Sequence, residues 1–166
     1  MSEMTSNAKS SAGFTAVELL VTLTIVGVML ALAAPGLRTL TLNQGVKSAA
    51  FDLFSALEYA RSEAIKRPSE TVTLKAGAAS DGAWSTGWRI LDGAGDVIRS
   101  WTIAPSVTVA DTNGTPLTQV TFGKDGHLTA APKLQVSPST TVAGVGPRCV
   151  KVDLMGRPYA AMGVCS

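Results

Sequence analysis

The chain has 166 residues, a net charge of +2, 46% hydrophobic side chains and only 16% charged ones. That length holds one domain plus an extra segment. The small net charge excludes the dense cationic stripe of a dedicated nucleic-acid binder, and the apolar excess suits a partly membrane-embedded or secreted protein.

Charge is unevenly placed along the chain. Residues 1–13 carry Glu3 and Lys9 and balance to zero, and Phe14–Leu37 carries only Glu18. From Arg38 onward there are thirteen basic and ten acidic side chains, a net of +3. The apolar run Phe14–Ala34 is about 21 residues, enough as a helix to span roughly 30 Å. Three readings compete for it. A cleaved secretory signal is loosely matched by Ala31-Leu32-Ala33 but lacks a basic leader. A core helix is rarely so uniformly apolar. A membrane helix fits best. Glu18 inside that run is then costly in hydrocarbon, and such a charge marks a functional site with a partner.

The helical pattern continues past the apolar run. Val46, Ala50, Leu53, Leu57, Ala60 and Ala64 recur three or four apart, with Lys47, Asp52, Glu58, Arg61 and Glu63 between them. This predicts one helix from about Phe14 to about Lys66, ended by Pro68. Gly27, Pro35-Gly36 and Gly45 interrupt it, and Pro35, which has no N–H, favours a kink.

Short strands and turns follow. Thr71–Lys75 alternates. Gly87–Leu91 and Val97–Trp101 flank Asp92–Asp96, the pattern of a hairpin. Ser106–Ala110 is a further strand. Gln119–Phe122 and His127–Thr129 flank Gly123–Gly126, a second hairpin. Leu134–Ser137, Cys149–Asp153 and Pro158–Ala161 complete seven or eight strands, with Ser137–Gly146 as an exposed loop.

Catalytic constellations are missing from the pattern. No nucleophile elbow, phosphate loop or zinc-protease helix motif occurs. His127 is the single histidine and reads as a strand-edge residue. Asp92 and Asp96 flank Gly-Ala-Gly without the spacing of a calcium loop. Trp84, Trp88 and Trp101 read as packing residues rather than a sugar platform. The expectation is a non-enzyme with no metal and no cofactor.

A family resemblance rests on specific residues. Gly13-Phe14-Thr15-Ala16-Val17-Glu18, after a short polar leader, resembles the class III signal of type IV pilins and type II secretion pseudopilins. The resemblance implies cleavage by a prepilin peptidase between Gly13 and Phe14, N-methylation of Phe14, and a role in assembly for Glu18 and Pro35. The stripe ending Arg61-Ser62-Glu63-Ala64-Ile65-Lys66-Arg67 and the later Gly87-Trp88-Arg89-Ile90 look like the GspH/FimT group. The tail, with Cys149, Gly156-Arg157 and Cys165, is similar to FimT/FimU-like minor pilins.

The implied fold is α+β: a pilin-like fold whose long N-terminal helix, membrane-spanning in its first half, packs against an antiparallel β head. The implied division is a leader over 1–13, a transmembrane and assembly helix over 14–37, and a periplasmic GspH/FimT-like head over 38–166. The implied function is that of a minor type IV pilin in pilus assembly or priming, with a contribution to DNA uptake. Two alternatives stand beside it, a minor pseudopilin of type II secretion and a DNA receptor for natural transformation. Implied partners are the prepilin peptidase, other minor pilins, the major pilin, the inner membrane and DNA.

Export of the head makes a Cys149–Cys165 disulfide the expected state of the two cysteines. Some FimT-like pilins capture DNA through a Gly-Arg-x-Arg motif in this tail. Here the matching residues are Gly156-Arg157-Pro158-Tyr159, with Tyr159 in place of the second arginine. Arg148, Lys151 and Arg157 are the expected phosphate contacts and Tyr159 the stacking residue.

Overall fold

The computed structural model describes residues 14–67, 69–78, 82–114 and 117–166, leaving aside the side chains of residues 34 and 35. The expected leader, the cleavage residue Gly13 and the helix-ending Pro68 lie outside the described residues. The chain divides into two compact units, Met1–Leu37 and Arg38–Ser166.

One helix, α1, runs Ala16–Lys66 and belongs to both units. Its assignment is continuous across Pro35 and Gly36, so the interruption expected there does not end the helix. In the first unit its apolar side chains are exposed, from Val17 to Leu32. Ala16–Ala33 is long and apolar enough to cross a membrane. In the second unit the helix is one-sided. Val46, Ala49, Ala50, Leu53, Ala56, Leu57, Ala60 and Ala64 are all buried. Five of these eight are alanines, which let the strands approach the helix axis closely. At the C-terminal end, Glu63 pairs with Lys66 at 3.2 Å and Arg67 at 3.5 Å. Cations there also suit the negative end of the helix dipole.

The remainder forms eight strands: β1 Val72–Ala76, β2 Gly87–Leu91, β3 Val97–Thr102, β4 Val107–Asp111, β5 Gln119–Phe122, β6 Lys133–Pro138, β7 Arg148–Val152 and β8 Pro158–Met162. They make two four-stranded sheets, ordered β3-β2-β1-β5 and β4-β6-β7-β8. Every pairing is antiparallel. The hairpin around Asp92–Asp96 forms as its turn residues predict, joining β2 to β3.

Two differences from the sequence pattern have physical reasons. The chain enters the second sheet at β4, returns to the first as β5 and then builds β6–β8. Alternation fixes which face of a strand is buried, not which strand lies beside it. The expected hairpin of β5 with 127–129 shrinks to a single bridge, Phe122 to Leu128. The Leu128 N–H instead donates to the Leu154 carbonyl at 2.9 Å, tying this segment to the β7–β8 turn.

The core is common to helix and sheets. Trp88, Phe122, Leu53, Leu57, Leu74, Ile90 and Leu134 are its largest fully buried side chains, and among the described residues no charged or polar residue is fully buried. Leu57→Ala is expected to lower stability by ~3 kcal/mol through lost burial and the cavity left behind. Urea unfolding followed by tryptophan fluorescence measures this.

Candidate functional site

The first candidate surface is the start of α1. Phe14 is 81% exposed, and Thr15 precedes the helix. The Glu18 N–H donates to Thr15 Oγ1 at 3.2 Å. Thr15-Ala16-Val17-Glu18 therefore has the spacing of a capping box, with one half of its hydrogen bonds in place. The acidic residue in the first turn also favours the positive end of the helix dipole. Thr15 thus caps the helix through its hydroxyl, a role the apolar run did not suggest; the signal was there as Thr-x-x-Glu. Further along, Thr22 and Thr24 donate to the Leu19 and Val21 carbonyls at 2.8 and 2.7 Å. These bonds satisfy both hydroxyls within the helix, which suits an apolar environment.

The second candidate surface is the C-terminal tail. Cys149 and Cys165 form a disulfide, with Cα atoms 5.0 Å apart and a sequence separation of 16. The turn between β7 and β8 is organised by Asp153. Its carboxylate accepts from the Arg157 N–H and Nε at 2.9 Å and from the Tyr159 hydroxyl at 3.1 Å. Arg157 Nη2 is also 2.9 Å from the same carboxylate. The Arg157 backbone N–H, then its guanidinium and the Tyr159 hydroxyl, hold the Asp153 carboxyl below its ordinary value of 3.8. The same contact raises the Arg157 guanidinium further.

Strand register separates the four expected nucleic-acid residues. Lys151 lies opposite Tyr159 on β8 and opposite Lys133 on β6. Lys133, Lys151 and Tyr159 therefore form a row across three strands on the outer face, with Arg157 at its end. Lys133 has no local sequence signal, since only the β6–β7 register places it there. Arg148 is different. It alternates with Val150 and Val152, both buried against the helix, so it lies on the opposite face from Lys151.

Gly156 holds the turn in place. It has φ of +76°, and a Cβ there would run into the Gly126 carbonyl and approach Arg61 Nε to 3.1 Å. Gly126 likewise has φ of +74° and sits over Arg61. The Gly123–His127 and Asp153–Arg157 turns thus pack together over the helix, covering Arg61 Nε, which is buried without a hydrogen-bond partner.

The remaining candidates are engaged locally. Asp92 Oδ1 accepts from the Ala94 and Asp96 N–H groups at 3.1 and 2.9 Å, closing its own turn. Asp92 also meets Arg67 at 3.6 Å. His127 Nδ1 lies 2.6 Å from Asp125 in an exposed turn. The backbone N–H and ring of His127 hold the Asp125 carboxyl below its ordinary value. Among the described residues no cluster of three metal-ligating side chains occurs. Trp84 Nε1 donates to the Leu117 carbonyl at 2.7 Å, Trp88 is buried, and Arg99 stacks 4.8 Å over Trp101.

Comparison with known proteins fits this architecture. The family model described as type II transport protein GspH matches residues 49–156. The chain belongs to the GspH family. The matched region runs from Ala49 in the buried helical stripe to the glycine of the β7–β8 turn, so it takes in β1–β7 and leaves out β8 and Cys165. The type IV minor pilin FimU of Pseudomonas aeruginosa has the same fold. One crystal form aligns with a TM-score of 0.59 at 22% identity, covering 74% of this chain and 92% of that one. A second form gives 0.55 at 22% identity, covering 69% and 91%. The minor pseudopilin EpsH from the type 2 secretion system of Vibrio cholerae aligns with a TM-score of 0.53 at 13% identity, covering 70% and 96%. No curated protein matches the chain. The GspH-family head thus has the fold shared by minor pilins and pseudopilins, with a disulfide-closed tail.

Opening the disulfide by Cys149→Ser with Cys165→Ser is expected to lower stability by ~3 kcal/mol, the chain-entropy cost of a loop this size. Chemical denaturation with and without reductant measures it. The Asp153 turn should be pH-sensitive. Its folded pKa lies below the unfolded value of 3.8, so its contribution is complete above that pH and is lost as pH falls through the folded value. The Arg157 amide resonance should therefore titrate with a midpoint below 3.8, and Asp153→Asn should abolish that titration.

Proposed function

We propose that the chain is a minor pilin that enters a type IV pilus, in its assembly or priming complex. In this reading residues 1–13 are a leader removed by a prepilin peptidase, and Phe14 becomes an N-methylated terminus. Residues 14–37 anchor the protein in the inner membrane, and 38–166 form a periplasmic head. The protein is a substrate of an enzyme and a component of an assembly, not a catalyst.

The observation that carries the proposal is a single helix with two environments. Its first part is apolar on all sides, with Glu18 four residues after Phe14, while its second part is the core element of the head. Removing the leader gives Phe14 a free amine. A carboxylate in lipid is tolerable when it meets such a cation, its own or that of a neighbouring subunit. That pairing favours one axial register between packed helices. The disulfide-closed tail supports the pilus over the secretion system, because it resembles FimT/FimU-like minor pilins.

Glu18→Gln tests the charge separately from the cap, because glutamine also suits the capping-box position. The variant should accumulate in membranes at wild-type level yet fall at least tenfold in sheared pili, read by immunoblot. Unchanged incorporation would contradict the role assigned to Glu18. The GspH match favours a second reading, a minor pseudopilin. Loss of protein secretion with intact piliation on deletion of the gene would establish that reading instead.

The row Lys133–Lys151–Tyr159 favours a DNA contact as a further role. Like charges directly opposite across strands are mildly unfavourable alone and are relieved by an anion. Gel shifts should show salt-sensitive binding that Lys133→Ala with Lys151→Ala removes. Arg157→Ala should have a smaller effect, since Asp153 already neutralises that guanidinium. Binding that depends on Arg157 alone would contradict the row.

A further inference from the structure

A groove runs between the outer side of α1 and the edge of the second sheet. Two adjoining cavities of about 400 and 480 Å³ make it, and both are lined by Lys47 and Arg148. Phe51 and Phe54 form its apolar wall on the helix, and Ala160 lines it from β8. Phe51 is 68% exposed, an unusual state for a phenylalanine on a head domain's helix. No carboxylate lines either cavity, and among the described residues neither Lys47 nor Arg148 makes an ion pair.

The sheet edge beside the groove is open. β8 is the last strand of its sheet, so its outer backbone N–H and carbonyl groups face away from β7 unpaired by a strand. Edge strands are normally protected by charged side chains. β8 reads Pro158-Tyr159-Ala160-Ala161-Met162 and has none; only the proline at its start limits pairing. Met162, on the helix-facing side opposite Arg148, is 83% exposed. The tail beyond β8 leaves this edge clear, because Cys165 bonds to Cys149 on the outer face.

We propose that this groove accepts an extended acidic and apolar segment of a partner protein as a fifth strand against β8. Alternate side chains of that strand point toward the helix. One apolar side chain would rest on Phe51 and Phe54, and a carboxylate would sit between Lys47 and Arg148. Main-chain hydrogen bonds to β8 supply affinity, and the two cations with the phenylalanine wall supply selectivity. The inference builds on the assembly role, since it specifies the chemistry of a partner in that assembly. Its test uses purified protein, so its failure leaves the Glu18→Gln result in pili unaffected.

The test is selection of seven-residue peptides from a fully random displayed library against the full-length protein in detergent micelles. The expected pool alternates apolar residues with Asp or Glu. The best peptide should bind at least tenfold more weakly to a Lys47→Glu, Arg148→Glu variant, and reselection on that variant should enrich Lys and Arg. If the double variant does not fold, Lys47→Glu on the exposed helix side gives the same comparison. N-methylation of alternate peptide amides should abolish binding in one of the two registers. A pool without acidic enrichment, equal binding to the charge-reversed protein, or failure to enrich any peptide would overturn the proposal. Tolerance of N-methylation in both registers would overturn the strand addition. Self-association of the chain that disappears in the variant would assign the groove to a second copy and overturn it as well.

Discussion

The structure depends on burying one narrow stripe of helix. From Val46 to Ala64 every residue that faces the sheets is apolar and most are alanine, so two four-stranded sheets can close on one helix. The sheets bring the large side chains, Trp88, Phe122 and Leu74 among them, and the helix brings a smooth surface for them to fill. Each deleted contact in such a core is felt, because protein interiors are packed as densely as organic crystals. The same helix begins with side chains that have no protein to bury against, and its Thr22 and Thr24 hydroxyls are already satisfied by its own backbone.

That division of one helix matches what a pilin-like fold requires, an apolar N-terminal stretch followed by a core element of the head. A helix stretch apolar on all sides needs a lipid or other apolar surfaces to cover it, and in the proposed assembly the single charge near its start would restrict how packed helices register. The disulfide, the glycine-dependent turn and the Asp153 hub fix the tail on the rest of the head, where a partner would meet it.

Much of this was legible in the sequence, for reasons that differ by element. The helical stripe was readable because burial on one side leaves a period of three to four, and every residue assigned to it is buried. The β2–β3 hairpin was readable because Asp-Gly and Gly-Asp turns punctuate alternating residues. The disulfide was expected because the resemblance implied an exported head, and two cysteines lie near its end. What stayed hidden depends on register and long-range contact. The return of β5 to the first sheet, Lys133 beside Lys151, and the packing of Gly126 and Gly156 over Arg61 join residues far apart in sequence. The Thr15 cap on the Glu18 N–H is local and readable as Thr-x-x-Glu.

In the proposed reading α1 starts at a processed terminus, with Phe14 carrying the amine that Glu18 meets. Intact mass and N-terminal sequencing of the protein isolated from membranes test this most directly. The expected result is a mature chain beginning at N-methylated Phe14. A chain that keeps residues 1–13, or one cut after Ala33, would contradict it, because the first leaves Glu18 without its cation and the second removes the anchor altogether.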